Sequence, residues 1–473
     1  MDHPPVIPAR LLIPALRWAA GSGFAHLERD AKEALDLGVG GFIIFGGPAS
    51  VVRQLTDDLT IYAGRPLLFA ADLERGAGQQ FGGLTEIPPP GALGSLDDRD
   101  AVRHAGYVTA TEARSIGINL VLAPVADLDI EPLNPIVQSR SFGSDPVRVA
   151  DFVVAWVEGC QEGGCWASVK HFPGHGRTTV DSHAALPVVD TSVEELEGTD
   201  LAPFRAAVNG GVATVMTAHV QYPALDAEHP ATYSTAVVEY LRTTIGFDGA
   251  VLTDALNMAG ARRQDGAGEG VVAAVTAGVD LLLYPEQVHQ SVAALDGAIE
   301  CGIISQDRIA SALRRYYLLL DDLPTAAPVD DDVRSWSETI ADRVLEHGLV
   351  RASEPRVGEL NGCVVIDDDL GGPFPPGPTD LIPRALAEAS APTDCGRLVL
   401  MFAEPRGWKE RAGLGEASRR TLQEALPAAG LVVVFGHPRI ADEIPGDVPL
   451  LLAWHRQRLM QRAVVRWLEA RRR

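Results

Sequence analysis

Eight short, almost unbroken apolar runs punctuate the first 322 residues: RLLIP (10–14), GFIIF (41–45), LLFAAD (67–72), INLVLAP (118–124), WASVKHF (166–172), VATVMTA (212–218), GAVLTDA (249–255) and VDLLLYP (279–285). A strand with one wet face alternates apolar and polar side chains. A run without alternation is a strand covered on both faces, as in parallel sheets flanked by helices. Segments of helical period lie between the runs, among them 150–162 and 191–209, the latter opened by a Thr191-Ser192 cap and the acidic pair Glu194-Glu195. Eight strands with crossover helices over this length predict an α/β fold, a (β/α)8 TIM barrel over residues 1–322. An open doubly wound sheet is the alternative, and eight units favour closure.

A helical segment at 307–321 is followed by LPTAAPVDDDV (323–333), whose prolines and acidic run mark a linker over 323–335. Four more buried-strand runs come next: CVVID (363–367), LVLMFA (398–403), LVVVFG (431–436) and PLLLAW (449–454). They predict a smaller α/β three-layer sandwich domain over 336–473. GGPFPPGP (371–378) can be neither helix interior nor central strand.

Composition narrows the function classes. Forty Lys and Arg stand against 63 Asp and Glu, a net charge of −23 that repels phosphate backbones and anionic lipid. Neither nucleic acid nor a membrane surface is an expected partner. In MDHPPVIPARLLIPALRWAA two prolines and an acidic residue precede any apolar run, with no basic n-region or cleavage-like stretch, so no signal peptide is expected. The tract 271–284 is interrupted by Asp280 and falls short of the ~20 apolar residues of a membrane span. The five cysteines (Cys160, Cys165, Cys301, Cys363 and Cys395) are sparse and odd in number, which fits reduced, mostly buried thiols in a cytoplasmic protein. Nothing in the sequence sets an oligomeric state.

In barrels the chemistry sits where strands run into the loops at the carboxyl face. Charged residues gather at those positions: Asp72, Glu74 and Arg75 after the third run, Asp127 after the fourth, Lys170-His171 at the end of the fifth, and Asp254 at the end of the seventh. The densest segment is KHFPGHGRTTVDSH (170–183), in which Pro173, Gly174 and Gly176 force a loop that delivers Asp181 and His183. His171, His175, Asp181 and His183 are all capable of ligating a metal, but the Pro-Gly break denies the first two a common helix face. The alternative is a carboxylate–imidazole dyad, Asp181 orienting His183 so that it gives and recovers a proton near neutral pH. Asp254, on a buried strand end, needs cations to stay ionised, and Lys170 and Arg140 are the candidates; so held, it is a nucleophile. Lys170 itself is either a cationic ligand for hydroxyls or a Schiff-base lysine.

KHFPGHG followed by DSH, with the TDALNM box around Asp254, resembles the β-N-acetylglucosaminidase branch of the family 3 glycoside hydrolases. RSFGSDP and the weaker AADLERGAG fall in the same order, and the motifs span roughly residues 70–260. The resemblance implies a retaining exo-β-N-acetylglucosaminidase that acts on small carbohydrate substrates such as cell-wall fragments and needs no metal or other cofactor. It implies Asp254 as nucleophile, His183 as general acid/base with Asp181 as its partner, and Asp72, Arg140, Lys170 and His171 as ligands of sugar hydroxyls. A phosphorylase of the same family is the near alternative, because a neutral histidine acid/base does not repel incoming phosphate. A metal-dependent barrel hydrolase is a more remote one. Gln80 stands where family members often carry an arginine, and Arg177 where an acidic or amide residue is frequent. The glycine-bearing loop before His183 is expected to close over bound substrate.

Overall fold

The computed structural model describes residues 7–471 other than 183, 262–266, 352–354, 356, 358–359, 361, 373–375, 389–395 and 410. Cys395, His183, the first six residues and part of 371–378 therefore lie outside the described residues.

The barrel strands form where the apolar runs stand. Parallel neighbours in chain order are β2 (Ala15–Arg17), β3 (Gly41–Phe45), β4 (Leu68–Ala71), β5 (Leu120–Val121), β6 (Trp166–Phe172), β7 (Thr214–Thr217) and β8 (Ala250–Thr253). The first run gives β1 (Leu12–Ile13) and ends at Pro14, which offers no amide to the ladder; β2 begins just beyond it. β1 pairs in parallel with β9 (Leu282–Leu283), and Leu252 bridges Leu281, so the eighth run joins the ends of the curl. The unbroken apolar pattern is explained by two cores on opposite faces of the same strands. Ile43, Leu68, Ala70, Leu120, Met216 and Leu252 point inward, while Phe42, Ile44, Phe69, Val121, Val215 and Val251 meet the surrounding helices.

The helix Gln306–Asp321, capped by the Ser305 hydroxyl, closes the amino end of the barrel: Tyr316 donates to the Gly40 carbonyl and Trp166 to that of Leu319. Asp280, which interrupts the eighth run, is fully buried there. It accepts from Arg242 at 2.6 Å, Arg308 at 2.7 Å and the Val251 amide at 3.0 Å. The expected single helix over 191–209 is two, Val193–Gly198 and Leu201–Asn209. Thr199 leaves helical geometry between them, and Asp200 beside it takes an ion pair from Arg177 at 2.8 Å. Ser192 caps the first helix through the Glu195 amide.

The second sheet is parallel and in chain order: β10 (Cys363–Asp367), β11 (Arg397–Ala403), β12 (Ala429–Gly436) and β13 (Leu450–Leu452). Its core, with Phe402 stacked on Phe435 at 4.5 Å, is separate from the barrel cores. The helix Val333–Glu346, which begins inside the expected linker segment, contributes Val333 and Ile340 to the barrel core and Val344 and Leu345 to the second. The two units meet through apolar contact, Ala92 of the barrel unit being part of the second core, and through polar contacts, among them Leu459 N–H to Glu86 Oε2 at 2.7 Å and Gln457 Nε2 to the Ile87 carbonyl at 2.8 Å. Of the described cysteines, Cys160 and Cys165 are buried, Cys363 is half-buried and Cys301 exposed. Among the described residues, no helix is long and apolar enough to cross a membrane.

Candidate active site

Each barrel strand delivers its last residues to one rim, and a network of buried charged side chains collects there. Asp72 follows β4, and Lys170 is the fifth residue of β6 with its side chain 2 % exposed. Its Nζ donates to Asp72 Oδ1 at 2.7 Å and lies 2.8 Å from Glu74 Oε1. Arg140, on the short turn Gln138–Arg140, grips Glu74 with two parallel bonds, Nε to Oε2 at 2.9 Å and Nη2 to Oε1 at 2.8 Å. Burial pushes Glu74 toward its neutral form, but Arg140 and Lys170 outweigh it and hold the carboxyl well below its usual range. Burial likewise opposes the charge on Lys170, and Asp72 and Glu74 raise its affinity for the proton despite that. The result is a fixed group of two cations and two anions. Glu74 is the member that the expected site set lacks, although it stands two residues past Asp72.

A second hub forms around Asp127, which follows β5 and is 1 % exposed. Its Oδ2 accepts from His171 Nδ1 at 2.7 Å, while Oδ1 accepts the amides of His171 at 3.2 Å and His175 at 2.6 Å. Nδ1 donates to the carboxylate, which fixes the orientation of the His171 ring. His175 is locked differently. Its Nδ1 lies 2.6 Å from Thr178 Oγ1 and its Nε2 3.0 Å from Ser182 Oγ. Thr178 spends its own proton on the His175 carbonyl, so Nδ1–H donates to Thr178 and Nε2 accepts from Ser182. Burial, with His171 adding repulsion, lowers His175 to about 4 and keeps it neutral at physiological pH. Gly176 lets this loop pass against Leu128, whose carbonyl oxygen would stand 2.2 Å from a Cβ at that position.

Asp254 is the first residue after β8 and is half-buried; its amide donates to the Thr217 carbonyl at 3.2 Å and its Oδ1 accepts the Ala255 amide at 2.7 Å. Asp181 is buried, and its carbonyl accepts from Ala184 at 2.9 Å. Ser182, between Asp181 and His183, bonds His175 and also accepts the Gly260 amide at 2.9 Å, which ties this loop to the loop after β8. Arg177 anchors the same loop from below by pairing with Glu195 at 2.7 Å and with Asp200. The loop is thus held as far as Ser182 and is less free than its glycines suggest. The structure brings Asp72, Lys170 and Arg140 together through Glu74, and it brings His171 to Asp127. Sequence reasoning missed Glu74 and Asp127 as site members, although both carried the signal of a charge at a strand end. Among the described residues, no group of three or more His, Cys, Asp or Glu side chains is arranged to hold a metal.

A parallel barrel whose carboxyl rim gathers cations, carboxylates and imidazoles has the layout of the barrel enzymes, which carry their active sites at that rim. The sequence pattern of the glycosyl hydrolase family 3 N-terminal domain matches residues 18–319, so the chain belongs to that family and is a glycoside hydrolase. A β-hexosaminidase of Thiobacillus denitrificans is 38% identical over 290 residues, which are 58% of this chain and 80% of that protein. The solved family 3 β-N-acetylglucosaminidase of a Paenibacillus species superposes with a TM-score of 0.82 at 28% identity, covering 98% of this chain and 96% of that one. A β-glucoside phosphorylase shares the fold, with a TM-score of 0.84 at 21% identity over 98% of this chain and 91% of that one.

Proposed function

We propose that the protein is a retaining exo-β-N-acetylglucosaminidase that releases terminal N-acetylglucosamine from small glycosides such as cell-wall fragments. The observation that carries this reading is the rim itself. Asp72, Lys170 and Arg140 form a prepaid array of donors and acceptors suited to sugar hydroxyls, with Asp254 on a neighbouring part of the same rim. His171, oriented by Asp127, joins that array.

In the first step one Asp254 oxygen attacks the anomeric carbon, and an ester to the sugar forms as the bond to the leaving oxygen breaks. His183, partnered by Asp181, gives its proton to that oxygen. In the second step His183 takes a proton from water, whose oxygen displaces the ester and restores the Asp254 carboxylate. The donor is an imidazole, so the carboxyl–carboxyl spacing that normally reports stereochemistry has no counterpart here. Two buried free thiols, with burial lifting Cys165 to about 12, fit a reducing, cytoplasmic setting.

With an aryl β-N-acetylglucosaminide in phosphate buffer, the expected product is free N-acetylglucosamine. Accumulation of the sugar 1-phosphate would instead identify a phosphorylase. The proton donor has its own test. His183→Ala should cut kcat by roughly 10²–10⁴ on substrates with poor leaving groups and far less on activated aryl ones, which leave without a proton. Equal losses on both would remove His183 from the role.

A further inference from the structure

The second unit has so far had no part in the chemistry, yet its sheet presents its carboxyl edge to the barrel rim. Immediately after β12 come His437 and Arg439. Arg439 forks onto Asp129 of the barrel, with Nη1 to Oδ1 at 2.8 Å and Nη2 to Oδ2 at 2.9 Å, and Nη2 also reaches the Asp129 carbonyl at 3.1 Å. His437 Nε2 lies 3.0 Å from the same Oδ2. Its Nδ1 accepts the Arg439 amide at 3.3 Å, so the ring proton sits on Nε2 and is given to Asp129. Burial disfavours a charge on Asp129, but His437 and Arg439 prevail and keep its carboxyl below the usual range. From the barrel side, the Asp129 amide donates to the Gly143 carbonyl at 2.9 Å.

Asp129 is two residues from Asp127, the hub that turns the His171 ring and holds the His175 amide. The segment joining the two aspartates is neither helix nor strand, so no ladder of its own fixes it. Its outward anchor is the four-bond grip from the second unit. We propose that Arg439 and His437 are positioning residues of the active site: by fixing Asp129 they set Asp127, and through Asp127 the imidazole of His171 that meets the substrate. The second unit is on this account one wall of the catalytic apparatus. The inference rests on the reading of His171 as a sugar ligand.

A merely adhesive contact is available for comparison. Arg343, on the helix Val333–Glu346, pairs with Asp98 at 2.8 Å across the same two units, and Asp98 caps the barrel helix Arg99–Ser115. Arg439→Gln, Arg439→Lys and Arg343→Ala are compared by steady-state kinetics and by thermal melting on the full chain. Wild-type turnover is measured first on aryl N-acetylglucosaminide and aryl glucoside, and the variants are assayed on whichever it cleaves. Failure of the substrate reading is thereby told apart from failure of the positioning role.

Arg439→Gln should raise KM roughly tenfold with kcat nearly unchanged, because a displaced ligand of the bound sugar weakens binding. Arg439→Lys, which keeps the charge but loses the fork, should recover part of that loss. Arg343→Ala should lower the melting temperature and leave both kinetic constants as they were. Wild-type KM in a folded Arg439→Gln or Arg439→Lys, or the same KM change in Arg343→Ala, would overturn the proposal.

Discussion

Asp254→Asn should lose on the order of 10³-fold or more in kcat while remaining folded, since the half-buried amide preserves the shape of the strand end and removes only the attacking charge. Asp254 follows β8, with its amide on the Thr217 carbonyl and one carboxylate oxygen on the Ala255 amide. An asparagine oxygen can accept that second bond as well, so the variant separates chemistry from structure. Incubation of the wild type with a slow, fluorinated N-acetylglucosaminide should add one sugar per chain, and peptide mapping should find it on Asp254. A label on another residue, together with an active Asp254→Asn, would defeat the proposed mechanism.

The second large effect is expected at Glu74, which answers two cations with one carboxylate. Glu74→Gln keeps the volume but takes from Arg140 and Lys170 the carboxylate they share, in a buried setting. Breaking a buried ion pair from one side costs about 3–5 kcal/mol, and the urea midpoint of the variant should fall accordingly. The sign of the pH dependence follows from the depressed carboxyl. The stabilisation is complete above the ordinary value of 4.5 and disappears as pH falls through the lower folded-state value. The gap between wild type and variant should therefore be widest at neutral pH and close in acid. A variant as stable as the wild type at pH 7 would show that Glu74 does not balance the two cations. Turnover should fall with stability, because Lys170 and Arg140 lose the partner that fixes their positions.

Much of this arrangement is legible in the residues before any coordinates. Continuous apolar runs announce strands covered on both faces, and Ile43 inward with Phe42 and Ile44 outward shows why alternation is missing. Strand ends gave Asp72, Lys170, His171 and Asp254 their prominence. What the chain order hides is which charge meets which. Glu74 and Arg140 are 66 positions apart, and Asp127 and His171 are 44 apart. Both pairings depend on how neighbouring strands are staggered around the curl, and local pattern carries no trace of that. The broken helix at Thr199 was hidden for the same reason: the partner of Asp200 is Arg177, on another loop. The contribution of the second unit depended on an edge of one sheet facing a rim of another.

The amino end of the barrel holds its charges in a different manner from the carboxyl end. Arg242 and Arg308 converge on Asp280 and also donate to main-chain carbonyls, such as Phe247 for the first and Val279 for the second. Those bonds tie the arginines to the main chain, so displacing one would uncover a backbone carbonyl. On the opposite rim the charges answer one another through side chains, Lys170 with Asp72 and Glu74, and Arg140 with Glu74. Substitutions around Asp280 thus bear on how long the molecule lasts, and substitutions around Glu74 bear on what it can hold.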